Sequence, residues 1–87
     1  MDVDNFIHLY NLEVGDIVLS PNNDDISDYL TKNSPYRVID IPVGSLSIFY
    51  ILDDNDTELA CLYGQPDIHL NGQLWKKVKL NNLEYEY

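Results

Sequence analysis

The sequence predicts a small, mainly β domain, an antiparallel barrel or strongly bent sheet of about five or six short strands with one or two short helical turns. Short runs of β-branched and aromatic residues alternate with turn residues along the chain. Seven Tyr, two Phe and one Trp among 87 residues also favour strands. No stretch has the length and periodicity of a long helix. Because a chain of this size supports one small core, we expect a single domain over residues 1–87.

The N-terminal third is expected to contain one strand between two helical turns. Residues 2–12 have apolar side chains at helical spacing, which favours a short helical turn as an N-terminal extension. The apolar run 17–19 follows a Gly-Asp turn and stops at Ser20-Pro21, so we expect it to be the first strand. Residues 24–30 begin with acids, which stabilise the start of a helix, and they predict the second helical turn.

Three more strands are expected in the middle of the chain, at residues 36–41, 46–52 and 57–63. The second of these is apolar nearly throughout, which is typical of a central strand. The residues at 53–56 are three Asp and one Asn, and they predict a tight acidic turn. Residues 64–72 are expected to be irregular.

The C-terminal residues 74–87 are expected to form a hairpin around Asn81-Asn82, because Asn tolerates the positive φ of a two-residue turn. In that register, opposite charges share one face and apolar pairs share the other. The charged pairs are Lys79 with Glu84 and Lys77 with Glu86. The alternative is that residues 83–87 form a frayed tail.

Short motifs over residues 12–60 resemble a known family. In chain order they are Leu12-x-Val14-Gly15-Asp16-x-Val18, Tyr29-Leu30-Thr31-Lys32, Tyr36-x-Val38-x-Asp40-Ile41 and Phe49-x-Ile51-x-Asp53-Asp54. They are similar to the scheme GD-x-V, LTKG-x-x-Y-x-V, I-x-DD-x-G of the small SH3-like barrel proteins common in bacteriophage genomes. The chain departs from it with Asn33 where Gly is usual, and with Asp56 or Thr57 near the usual hairpin Gly. The resemblance implies an SH3-like barrel of phage origin, and it brings no catalytic residues with it.

The chain is strongly acidic. Its 15 Asp and Glu against 5 Lys and Arg give a formal net charge of -10. Such a field repels nucleic acid and anionic membranes, and it attracts basic protein surfaces. We therefore expect the partner to be a host protein with a basic surface, with no direct binding to nucleic acid or to a membrane.

Several features predict a cytoplasmic location, which is the host cytoplasm for a phage protein. The first residues are acidic where a secretory signal needs cations, and no apolar run approaches the roughly 20 residues of a membrane span. The lone Cys61 excludes an internal disulfide, which fits a reducing compartment.

The acids gather in two clusters, one in the expected helical turn and one in the acidic turn. The expected partner-binding residues are Asp24, Asp25, Asp28, Asp53, Asp54, Asp56 and Glu58. Carboxylates held on rigid turns can imitate the phosphate spacing of a nucleic acid. The alternatives are helix capping for the first cluster and simple solubility for both. A calcium loop is not expected, because the sixth position counted from Asp53 is Glu58 and the twelfth is Gly64.

Other candidate chemistry is weaker. Cys61 and His69 suggest a thiol and a base, but a Cys between apolar neighbours on a strand is usually inert. Together with His8 they share no recognised metal-ligand spacing, so neither a metal nor a cofactor is expected. Trp75 either lines an aromatic groove with three tyrosines or belongs to the core, and the core is the commoner place for it.

These observations predict a non-enzymatic binding protein that docks its acidic surface on a host protein and inhibits or redirects it. The alternative is a structural or assembly module that mediates self-association or virion contacts.

Overall fold

The structure of the chain is a computed structural model that describes residues 12–78. The described part is mostly β, with five strands and one short 3₁₀ helix, which confirms the expected all-β class. The elements in chain order are β1 (Ile17–Leu19), β2 (Pro35–Arg37), β3 (Ile48–Leu52), β4 (Glu58–Leu62), the 3₁₀ helix (Ile68–Leu70) and β5 (Lys76–Val78). Within residues 12–78, no helix is long or apolar enough to cross a membrane.

The strands form two antiparallel sheets. The first has the order β2-β1-β5, with Val18 opposite both Tyr36 and Lys77, and the second is the β3-β4 hairpin. Residues 38–40 connect the two sheets through backbone hydrogen bonds. The Val38 N–H donates to the Asp16 carbonyl on the side of the first sheet, and the Tyr50 N–H donates to the Asp40 carbonyl in the second, each at 2.8 Å. A chain that changes sheet at such a bend lets two small sheets pack face to face.

Two sequence predictions need correction. Residues 24–30 form turns rather than a helical turn. The backbone N–H of Ser27, in the middle of the segment, donates to the distant His69 carbonyl at 3.0 Å, so this donor is not available to a helix. Conversely, the segment 64–72 contains the 3₁₀ helix, whose first turn is capped by the Asp67 side chain.

Other predicted elements are matched only over part of their length or fall elsewhere. The second strand ends at Arg37 rather than at residue 41, because the chain then turns towards β3. Only residues 76–78 of the expected C-terminal hairpin are a described strand, and they pair with β1. Residues 2–11 of the expected N-terminal helical turn and the second hairpin strand at 83–87 lie outside the described residues.

The core lies between the two sheets and is built around aromatic side chains. Trp75 is 4% exposed and makes edge-to-face contacts with Tyr36 and Phe49, at centroid distances of 5.7 and 5.9 Å. Of the two interpretations of Trp75, the structure therefore supports the core and not a groove. Other fully buried apolar side chains are Val18, Val38, Ile51 and Leu70.

A buried carboxylate ties this core to the backbone. Asp67 is 1% exposed, and its Oδ2 accepts hydrogen bonds from the Trp75 Nε1–H at 2.8 Å and the Leu62 N–H at 2.9 Å. Its Oδ1 accepts the His69 N–H at 2.9 Å. The three donors come from the core, β4 and the 3₁₀ helix, so this single side chain fixes their relative positions. Hydrogen bonds to an ionised acceptor are stronger than neutral ones.

We expect Asp67→Asn to lower the free energy of unfolding by about 2–4 kcal/mol, because an amide cannot accept all three N–H groups and leaves a buried donor unsatisfied. Urea denaturation of the full chain measures this change. Asp56→Asn, at an exposed turn position, is the matched control and should change stability by less than about 0.5 kcal/mol. Equal effects of the two substitutions would show that the Asp67 network contributes nothing special.

Candidate protein-binding surface

The segment between β1 and β2, residues 20–34, is a long loop closed at its base. The buried Ser20 hydroxyl donates to the Thr31 carbonyl at 2.6 Å and accepts the Ser34 N–H at 2.9 Å. The Asn33 N–H donates to the Pro21 carbonyl at 3.0 Å. Asn33 has φ of 52°, a left-handed conformation that Asn tolerates better than most residues. The backbone conformation at Asn33 is therefore one that also suits Gly.

The turn between β3 and β4 is built by its first acid. Asp53 is only 9% exposed, and its Oδ1 accepts the N–H groups of Asn55 and Thr57 at 2.8 and 3.0 Å. This is the local hydrogen bonding by which Asp side chains initiate turns. Asp56 occupies the left-handed position of the turn, with φ of 61°. Asp53 thus shapes the turn, and Asp56 remains at its exposed tip.

The loop and the turn meet at Asp54. Its backbone N–H donates to the Tyr29 carbonyl at 2.9 Å, and its Oδ2 accepts the Thr31 hydroxyl at 2.7 Å. Its Oδ1 accepts the Tyr36 hydroxyl at 2.8 Å, while that same hydroxyl accepts the Thr31 N–H. The two acidic segments are therefore fastened side by side. Burial raises the pKa of Tyr36, the hydrogen bond to the Asp54 carboxylate adds to the rise, and the Thr31 N–H opposes it.

His69 fastens the other side of the loop. Its Nε2 lies 3.0 Å from the Ala60 carbonyl, and its Nδ1 lies 2.8 Å from the Tyr29 hydroxyl. Because a carbonyl only accepts, we assign the proton to Nε2, so that Nδ1 accepts from Tyr29. The loop is thus held against β4 and the 3₁₀ helix as well as against the acidic turn.

The seven predicted partner-binding acids fall into two groups. Asp53 and Asp54 have the internal roles described above, and Asp24 pairs with Lys32, whose hydrogen bond lowers the pKa of Asp24. The carboxylates of the other four are exposed and, within residues 12–78, make no hydrogen bond or ion pair. These four are Asp25, Asp28, Asp56 and Glu58, and we call them the acidic surface.

The thiol and the imidazole considered from the sequence are not paired. Cys61 is 1% exposed, and its Sγ is 3.7 Å from the Leu59 carbonyl. Burial raises the pKa of the Cys61 thiol, and the nearby charge of Asp67 raises it further. Both ring nitrogens of His69 are engaged elsewhere. The part of the chain that the structure describes also contains no group of three or more His, Cys, Asp or Glu placed to hold a metal ion.

Two features of this region were not anticipated from the sequence. The sequence places Asp67 only in an irregular segment. Its three hydrogen-bond donors come from positions that are separated along the chain, so no local pattern marks its role. The internal role of Asp53 did have a local signal, an Asp followed by Asn and Thr at the spacing of a side-chain-capped turn.

The chain matches no protein-family model, no curated protein and no solved structure. Its resemblance to the small phage barrels therefore stays a prediction.

We expect Asp54→Ala and Tyr36→Phe each to lower stability by about 1–3 kcal/mol, because each removes hydrogen bonds at the junction. In a double-mutant cycle measured by urea denaturation, the double variant should lose about 1 kcal/mol less than the sum, since both changes remove the same contact. Asp28→Asn, one residue before the junction, is the control and should stay within about 0.5 kcal/mol of the unmodified chain. Strict additivity would contradict the Asp54–Tyr36 contact.

We expect Cys61 to react much more slowly with a thiol reagent at about pH 8 in the folded chain than in the chain unfolded by guanidinium. The physical reason is that the thiolate is the reactive form, and burial disfavours it. Absorbance at the wavelength of the released chromophore follows the reaction. Equal rates in the two states would mean that the thiol is accessible and readily ionised.

Proposed function

We propose that this chain is a non-enzymatic, phage-encoded SH3-like barrel that docks its acidic surface on a basic surface of a host protein in the host cytoplasm and inhibits or redirects that protein. The observation that supports this most strongly is the junction at Asp54, which fastens the loop 20–34 to the turn 53–57. It brings together two acidic segments that are far apart in the sequence.

The SH3-like part of the proposal is supported by the strand arrangement. β1 pairs with both β2 and β5, and residues 38–40 lead from this sheet into the β3-β4 hairpin. Two small antiparallel sheets joined through one bent segment are the arrangement from which such barrels are built. The Gly-Asp motif also has a structural role, since Gly15 lies at φ of 98° and its N–H donates to the Val38 carbonyl at 2.8 Å.

The binding part of the proposal is supported by the distribution of charge. Two cations of the described residues are paired with acids outside the acidic surface, Lys32 with Asp24 and Lys77 with Asp16. The four carboxylates of the acidic surface keep their charge available for an outside partner. Charges fixed on hydrogen-bonded turns lose little conformational freedom on binding, and their field accelerates encounter with a basic surface.

We expect the combined substitutions D25N, D28N, D56N and E58Q to abolish capture of the partner. The immobilised chain is used to capture proteins from a bacterial lysate, and mass spectrometry quantifies them at roughly 0.05 M and 0.5 M salt. Asn and Gln keep the side-chain shapes, so that only charge is removed. Capture by the unmodified chain should fall strongly at the higher salt, because exposed charges are screened.

Glu13→Gln is the matched control for Glu58→Gln, because it neutralises an exposed glutamate outside the acidic surface. It should leave capture nearly unchanged. Retention of the partner by the four-fold variant at the level of this control would refute the proposed docking. If duplex DNA displaces a captured partner, that partner has a nucleic-acid-binding site. The acidic surface would then imitate the nucleic acid that occupies the site.

A further inference from the structure

The outer face of the β3-β4 hairpin is apolar, although it points away from the core. Side chains alternate along β3, so Phe49 and Ile51 are fully buried while Ile48 and Leu52 are 40% and 41% exposed. Tyr50 lies between the last two on the same outward side and is half-buried. A solvent-facing sheet surface normally alternates to polar residues. Here the outward positions of β3 are apolar as well.

The outward positions of β4 continue this apolar strip. Leu62 lies directly opposite Ile48, and Ala60 lies directly opposite Tyr50. Side chains that face each other across an antiparallel pair are in contact range. The outer apolar strip therefore consists of Ile48, Tyr50, Leu52, Ala60 and Leu62. Tyr50 and Leu62 are half-buried, and the other three side chains are exposed. A contiguous apolar surface that solvent reaches is typical of an interaction site.

Carboxylates border the outer apolar strip. Asp40 is exposed and lies opposite Tyr50 on the side away from β4. Glu58 lies opposite Leu52 at the end where the acidic turn begins. The strip is thus continuous with one part of the acidic surface, and charge lies at its margin rather than at its centre.

We propose that the outer apolar strip is the centre of the docking interface, and that the partner presents an apolar patch bordered by Lys and Arg. This inference rests on the proposed function and specifies the partner chemistry. An apolar centre with a charged rim is the usual anatomy of a protein–protein interface. The central side chains supply most of the affinity, while the rim governs the association rate and the orientation.

The test uses two synthetic probes in NMR titrations of the full ¹⁵N-labelled chain. One is a peptide of alternating Leu and Lys, and the other is a peptide of alternating Ser and Lys with the same length and charge. We expect the Leu-Lys peptide to bind about tenfold more tightly and to shift the amide signals of residues 48–52 and 58–62.

Variants then separate the centre from the rim. Ile48→Thr combined with Leu62→Thr replaces two apolar side chains with a residue that is favourable in strands. The double variant should remove the tenfold difference in affinity between the two peptides and leave the affinity for the Ser-Lys peptide unchanged. Val43→Thr is the control, because Val43 is fully exposed outside the strip. The four-fold acidic variant should weaken both peptides.

Other results would overturn the inference in distinguishable ways. Equal affinities for the two peptides, with the acidic variant weakening both, would refute the apolar centre and leave the acidic docking intact. Affinities insensitive to the acidic variant would refute the proposed function itself. If the chain sediments as a dimer, and Ile48→Thr combined with Leu62→Thr dissociates that dimer, the strip binds a second copy of the chain. This result would favour an assembly module. Nuclear Overhauser contacts from residues 1–11 to Ile48 in the free chain would assign it to the chain's own N-terminal segment.

Discussion

The buried carboxylate of Asp67 is the constraint on which the arrangement of this small domain depends. A core of this size has little apolar surface to spare, so the position of each element must be fixed by directional contacts as well. Asp67 accepts N–H groups from β4, the 3₁₀ helix and the indole of Trp75. The 3₁₀ helix then presents His69 to Tyr29, and through Tyr29 the long loop is placed beside the acidic turn. The position of the loop that carries part of the acidic surface thus depends on the Asp67 carboxylate.

The acids of the chain are divided between structure and surface. Asp67, Asp53 and Asp54 use their oxygens for N–H and O–H groups of the chain itself, whereas Asp25, Asp28, Asp56 and Glu58 face the solvent. The first group holds the loop and the turn in place, and the second provides the external charge. Net charge alone does not distinguish the two roles. A substitution at Asp53 or Asp54 would change folding as well as charge, so only the second group reports on binding without ambiguity.

The fold was largely accessible from the sequence where the signal is local. The apolar runs bounded by Gly, Pro, Asn and Asp correspond to β1, β3 and β4, because alternation and turn chemistry act over a few residues. The acids at the start of residues 24–30 predicted a helical turn that does not form, since the Ser27 N–H donates to the His69 carbonyl, 42 positions along the chain. The acidic surface was predicted as a set of residues, but its division into structural and exposed acids depends on such distant contacts. The apolar run at residues 46–52 predicted a central strand, and β3 does pair with β4 on one edge and with Asp40 on the other. Such a run does not show that one face of the strand is exposed.

The hydrogen bonds made by Asp67 and His69 also limit access to one edge of the second sheet. The Leu62 N–H and the Ala60 carbonyl lie on the edge of β4 that faces away from β3, and they are taken by the Asp67 carboxylate and the His69 imidazole. Side chains therefore occupy the places that a foreign strand would need in order to add to this sheet. With an apolar face beside it, an open edge would invite the stacking of copies into fibrils. The same two residues that organise the interior thus also satisfy two backbone groups on this edge of β4.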